Sequence, residues 1–226
     1  MVFQRARSAE QREMRRRAIL DAAAAMLDQM PVADLTLNEL SRRVCLAKSN
    51  VLRYFESREE ILLELLDRGL RECVSEVSAE VSGIDPRLPA AERGARLAAV
   101  LARALGDRPV LCDLIAAQPG VLERNVSPEV IVRYKRSGYD NLVILVDRVR
   151  ELLPELGEGA WMVCTMSAIL AAALSAHSRP SPSVLAAYQS DPTLAALRLD
   201  RPTTLENALA TLVSGALAGA GNPDRS

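Results

Sequence analysis

Apolar residues recur along this chain at the spacing of one helix face, segment after segment, and nowhere alternate as a strand would. Ile19, Leu20, Ala23, Met26, Leu27 and Met30 form a first run that ends at Pro31. Leu37, Leu40 and Val44 predict a short second helix, with Thr36 placed to cap it. Val51, Leu52 and Phe55 mark a third. Ser57 then precedes a long helix carrying Ile61, Leu62, Leu65, Leu66, Leu70, Cys73, Val74, Val77 and Val81. Ser57 and Glu60 have capping-box spacing, the hydroxyl covering an orphan N–H and the carboxylate reaching back. The stretch Gly83 to Pro89 breaks that helix. Further helices are expected at Ala90 to Leu105, around Val110 to Ala117, at Pro128 to Leu153, at Glu158 to Ser178 and at Pro202 to Ala220. Pro119–Gly120, Pro128 and Pro154 punctuate them, and Ser181 to Asp191 is a candidate short helix in a Pro/Ser-rich connection. The fold class is all-α.

Composition narrows the chemistry. The chain has 226 residues, 49% hydrophobic and 25% charged, enough for one large domain or two small ones with a true core. Its one histidine, His177, excludes a multi-histidine metal site, so no metal or cofactor is expected. Cys45, Cys73, Cys112 and Cys164 are widely spaced and fit reduced thiols. Two stretches lack charge, Ala160 to Ser178 and Ala208 to Gly221. The first is built largely from Ala, Ser, Thr and Met, less apolar than a typical spanning helix, and the second is too short. With a basic, polar start from Met1 to Arg17 in place of a signal peptide, the expected location is the cytoplasm.

A formal net charge of −1 would disfavour nucleic acid, but it averages two unlike parts. Residues 1–58 hold 11 basic and 7 acidic side chains, a balance of +4, which leaves −5 on the rest. Within that basic head, Thr36 to Val44, then Cys45-Leu46, then Ala47 to Phe55 reads as helix, tight turn and helix. Leu37, Leu40, Val44, Val51 and Phe55 would fix the two helices at one angle and leave polar side chains facing the major groove. Asn50 suits an adenine edge, Arg53 a guanine or a phosphate, and Lys48 a phosphate.

These residues resemble the TetR family of bacterial transcriptional regulators over about residues 12–72. The likeness is carried by "AILDAA" from Ala18, by "LTLNELSRRV", and by "LAKSNVLRYFESREEILLELL" from Leu46 to Leu66. The resemblance implies a DNA-binding head over residues 1–58 and a helical ligand-binding and dimerisation domain over 59–226. It further implies a homodimer that represses a palindromic operator and is released by a small-molecule effector. Thr36, Lys48, Ser49, Asn50, Arg53, Tyr54 and Arg58 are the expected DNA contacts. Three positions depart from the family pattern. Cys45 stands at the usual turn glycine, Ala47 replaces the Ser/Thr that opens the recognition helix, and Leu52 replaces a frequent tyrosine.

The two uncharged helices need cover, and small-residue stripes let helices approach closely. Ala168, Ala172 and Ser175 on one, with Ala208, Thr211, Leu212, Gly215 and Gly219 on the other, are therefore expected at the dimer interface. By resemblance, an effector site lies between about Leu70 and Ser178. Its candidate handles are Asp113, Asn125, Arg133, Tyr134 and His177, with Trp161, Met162 and Met166 as apolar wall. Each has a plainer use: ion pairs for Asp113 and Arg133, core filling for the methionines, a helix terminus for His177. "RPVLCDLIAAQPGVLERNVSPEV" from Arg108 and "PSPSVLAAYQSDPTLAALRLD" from Pro180 resemble the C-terminal domains of one TetR subgroup, which names no ligand. Two alternatives stay open, an activating or effector-independent regulator of the same family and a helical carrier or enzyme. The enzyme reading lacks a phosphate-cradling loop or a nucleophile motif.

Overall fold

A computed structural model describes residues 2–178, 180–191 and 193–220, with side chains from Glu10 onward. Among the described residues there are ten α-helices and short 3₁₀ or π turns, and no strand. The chain divides into two compact units, Met1–Arg68 with Ala117–Arg136, and Gly69–Ala116 with Ser137–Ser226.

The first unit opens with α1, Val2–Leu27, where the first buried residue among the described side chains is Ile19. Ile19, Ala23 and Met26 of α1, with Leu35, Leu40, Val51, Phe55, Ile61 and Leu62, are all essentially excluded from solvent and make up the core of this unit. The short α2, Leu37–Arg43, starts at Thr36, whose Oγ1 accepts the Glu39 N–H at 3.2 Å. It ends in a Schellman turn: Leu46 N–H donates to the Ser41 carbonyl at 3.0 Å and Cys45 N–H to the Arg42 carbonyl at 3.2 Å. That motif requires a left-handed residue between them, and Cys45 supplies it with φ at +52°. The recognition helix α3 covers only Lys48–Val51, because residues 52–54 close in a turn. Its cap position, Ala47, has extended backbone and offers no side-chain bond. The long α4 runs Arg58–Ser82. Ser57 Oγ accepts the Glu60 N–H at 3.1 Å, but the Glu60 carboxylate reaches one residue further back than a capping box does, to the Glu56 N–H at 2.6 Å. The segment from Ala117 belongs to this same unit. It enters the core through Leu122 and Val130, and Arg133 pairs with Glu60 at 2.6 Å.

In the second unit α5, Ala90–Gly106, and α10, Arg201–Ala220, pack along one another, and α8, Gly159–His177, packs on both. Gly94 allows this close approach, since a Cβ there would lie 2.9 Å from Leu217 Cδ1. The preceding Arg93, 7% exposed, donates to the Leu88 carbonyl at 2.8 Å, to the Leu152 carbonyl and to the Glu155 carboxylate. It thereby satisfies a carbonyl at the end of α7, Pro128–Leu152, that the helix itself leaves open. Helix α6, Pro109–Ala117, contributes Leu111, Cys112 and Leu114 to the core. Helix α9, Pro182–Ser190, buries no residue. The expected uncharged run at the C-terminus lies in α10 except for Gly221, which is outside the described residues.

Candidate DNA-binding surface

Helix α3 divides cleanly by burial. Val51 is 0% exposed and Phe55 just beyond it 1%, while Lys48, Ser49, Asn50 and Arg53 are all exposed. A buried back face fixes the helix, so the polar front face is held out with little freedom of orientation. Leu52, expected in the apolar stripe, instead lies 40% exposed on this front. Thr36 is exposed at the start of α2. Its oxygen is engaged as a cap, and its hydroxyl proton remains available to a phosphate.

Arg58 is turned elsewhere. It donates to the carbonyls of Ala33 and Leu35 at 3.3 and 2.9 Å, lies 3.2 Å from Glu59, and has a side chain only 19% exposed. Its charge ties the 3₁₀ turn Val32–Asp34 to the start of α4, a local reason for the expected DNA contact to point inward.

Two arginines that pattern reading left out complete the surface. Arg12 donates to the Arg53 carbonyl at 3.1 Å and sits over the Tyr54 ring at 5.7 Å. Arg16 donates to the Tyr54 carbonyl at 3.2 Å, lies 4.2 Å over the Phe55 ring and pairs with Glu64. The carbonyls of the turn that follows α3 thus receive donors from α1, 41 and 38 residues away in sequence. Glu64 also accepts the Tyr134 hydroxyl at 3.1 Å. Burial, together with that carboxylate, pushes the Tyr134 phenol far above its ordinary range.

The expected effector handles are divided between the two units. Asn125, Arg133 and Tyr134 belong to the first unit, where Arg133 and Tyr134 serve Glu60 and Glu64 and Asn125 is exposed. In the second unit Asp113 accepts the Ser175 hydroxyl at 3.2 Å. Trp161, Met162, Met166 and His177 lie on the exposed side of α8, with the Trp161 ring 5.7 Å from that of Tyr139 at a 48° tilt and His177 Nδ1 2.9 Å from its own helix's Ala173 carbonyl.

On α8, Ser175 is 0% exposed and Ala172 4%, so these two are packed inside the subunit, while Ala168 is half-buried. It is the larger residues Met162, Met166 and Ile169, 46%, 36% and 49% exposed, that face outward. On α10 the expected side does remain open. Thr211, Gly215 and Gly219 are exposed and Ala208 and Leu212 half-buried, over an inward row of Leu205, Leu209 and Val213. Met162, Leu212, Gly215 and Ala216 together line a shallow apolar groove. Helix α8 is also the one described helix long and apolar enough to cross a membrane by length and composition, and its packing on α5 and α10 gives that composition another use.

An outward polar helix braced by a buried back face, at the end of a tight turn, places the chain among helix-turn-helix DNA-binding proteins. Residues 19–65 match the model of bacterial regulatory proteins of the tetR family, and residues 67–220 match the tetracyclin repressor-like C-terminal domain. The chain belongs to the TetR family and is a DNA-binding transcriptional regulator. Its fold is similar to that of a possible TetR family transcriptional regulator from Streptomyces coelicolor, at 20% identity and TM-score 0.60, over 90% of this chain and 99% of that one. It is also similar to the fatty acid degradation regulator FadR from Bacillus halodurans, at 12% identity and TM-score 0.53, over 88% and 95% of the two chains. No curated protein matches the chain at a significant level.

Proposed function

We propose that the protein is a cytoplasmic homodimeric repressor that binds a palindromic operator and is released by a small-molecule effector. The observation that carries the DNA half is the outward set Lys48, Ser49, Asn50 and Arg53 on a helix whose opposite side is fully buried. Asn50 reads an adenine edge and Arg53 a guanine or a phosphate, while Thr36, Ser49 and Tyr54 hold the backbone. Dimerisation is supported by the outward apolar residues of α8 beside the small-residue surface of α10, which water would otherwise cover. A two-fold pair of heads then matches a two-fold operator. Asp113, bonded by Ser175 within the second unit, is the polar group retained from the expected effector set.

The test is operator selection from random duplex DNA, followed by gel shift with and without candidate ligands. A palindrome bound with nanomolar affinity and steep salt dependence is expected, and Asn50→Ala and Arg53→Ala should each weaken it while the dimer persists. Unchanged affinity in both variants would refute the assignment of α3. Sedimentation tests the interface separately: Met166→Glu with Ile169→Glu should yield monomers, and a monomeric parent chain at micromolar concentration would refute the dimer.

A further inference from the structure

Between Glu10 and Ala18, α1 buries no side chain and only Arg16 is even half-buried, so this stretch is not held helical by a core. One side of it nevertheless forms a groove with the end of the recognition helix. Gln11, Arg12, Met14, Arg15 and Ala18 line it from α1, and Arg53 and Tyr54 from the other wall. Three of those residues are arginines and none is acidic. The nearby Glu13 is turned aside by Arg17, to which it bonds at 3.1 Å, and Arg15 makes no ion pair among the described residues. Met14, 58% exposed, supplies an apolar floor beside Tyr54.

We infer that this groove is a second DNA subsite, which takes the sugar–phosphate backbone of a strand flanking the bases that α3 faces. A deoxyribose phosphate presents one anionic oxygen pair and one apolar sugar face at each step. The groove offers both complements, guanidinium groups on the rim and the Met14 and Tyr54 side chains below. The position follows from Arg53, which belongs to the outward set of α3 and to this groove alike. A strand lying against Arg53 therefore passes Arg12 and Arg15 next. The contact carries no base information, so the subsite adds affinity to every sequence equally.

The inference rests on the proposed orientation of α3, and the experiment separates the two. Binding of the full-length protein to its selected operator and to a mixed-sequence duplex is measured across a salt series, for the parent chain, Arg15→Gln, Arg15→Lys, Met14→Glu and Asn50→Ala. Arg15 is chosen over Arg12 because Arg12 also holds the turn after α3 through the Arg53 carbonyl. Arg15→Gln should lower the slope of log affinity against log salt by about 0.9 and weaken both duplexes by the same factor, of order threefold to tenfold. Arg15→Lys should keep the slope, and Met14→Glu should weaken both duplexes. Asn50→Ala should weaken the operator alone. An unchanged slope in Arg15→Gln, with Asn50→Ala still weakening the operator, overturns the subsite and leaves the α3 assignment standing. If neither substitution has an effect, the α3 assignment fails and the subsite with it. Loss of operator preference in Arg15→Gln also overturns the subsite, since a backbone contact cannot select bases.

Discussion

Replacing Cys45 with glycine should stabilise the protein, although it removes a side chain and adds none. Cys45 holds φ at +52°, the left-handed conformation that the Schellman turn after α2 demands. For a residue with a Cβ this conformation costs about 1–2 kcal/mol relative to the right-handed and extended regions. Glycine adopts it freely, but a glycine loses more backbone freedom on folding, a counter-term of roughly 0.5–1 kcal/mol. The Cys45 side chain is exposed, so its loss forfeits little buried area. The balance favours glycine by about 0.5–1 kcal/mol, which in a chain of this size raises the melting temperature by roughly 1–4 °C. Thermal unfolding followed by circular dichroism under reducing conditions measures it. Cys45→Ala is the control, because alanine keeps the Cβ and discards only the thiol, and it should melt with the parent. If alanine gains as much as glycine, the thiol and not the backbone is responsible. If glycine lowers the melting temperature, left-handed strain at this turn is not the governing term. Operator affinity should stay within a factor of two or so in both, since the turn keeps its hydrogen bonds and neither residue lies on the outward face of α3 (about 0.4 kcal/mol at most).

Three further outcomes follow from the ion pairs. Arg93→Met should cost about 3 kcal/mol in urea unfolding, because it leaves the Leu88 and Leu152 carbonyls without a donor while the Glu155 side chain, 45% exposed, stays solvated. The Glu155 carboxyl is held below the usual carboxylate range chiefly by its hydrogen bonds from Arg93. Its contribution is thus complete above the unfolded carboxylate range and is lost as pH falls through the depressed folded value, so the difference in urea midpoint between the parent and Glu155→Gln should shrink on acidification below about pH 4. Absorbance titration should show Tyr134 resisting ionisation well above pH ~10, and Glu64→Gln should bring it down because the neighbouring carboxylate is one cause of the shift.

What could be read from the chain and what could not separate along a physical line. Local rules located most partners within one turn, although the Glu60 carboxylate bonds the Glu56 N–H and not that of Ser57. Thr36 and Ser57 cap the helices they precede, and Cys45 takes the left-handed backbone that its place after α2 demanded. Hydrophobic spacing located the helices, because each needed one apolar side for its core. The roles of Arg12, Arg16 and Arg93 were invisible by the same reasoning. Each guanidinium serves carbonyls or carboxylates of other elements, and nothing in the spacing of arginines along a helix says where those acceptors will lie.

Helix α8 shows the limit most clearly, because small residues serve close approach within a subunit as well as between subunits. Its apolar residues run nearly all round, so spacing could not distinguish an inner from an outer face. Small residues permit close approach, and Ala168, Ala172 and Ser175 were accordingly expected at a subunit interface. Close approach is needed first within the subunit, however, where α5, α8 and α10 pack together and Gly94 already marks how tightly α5 and α10 do so. Ala172 and Ser175 are taken up inside the subunit, Ser175 at 0% exposure and bonded to Asp113 of α6. The larger Met162, Met166 and Ile169 are then left outward by elimination. A methionine-rich surface is adaptable and still apolar, so it retains a reason to be covered by a partner even though it is not the stripe that close packing alone would choose.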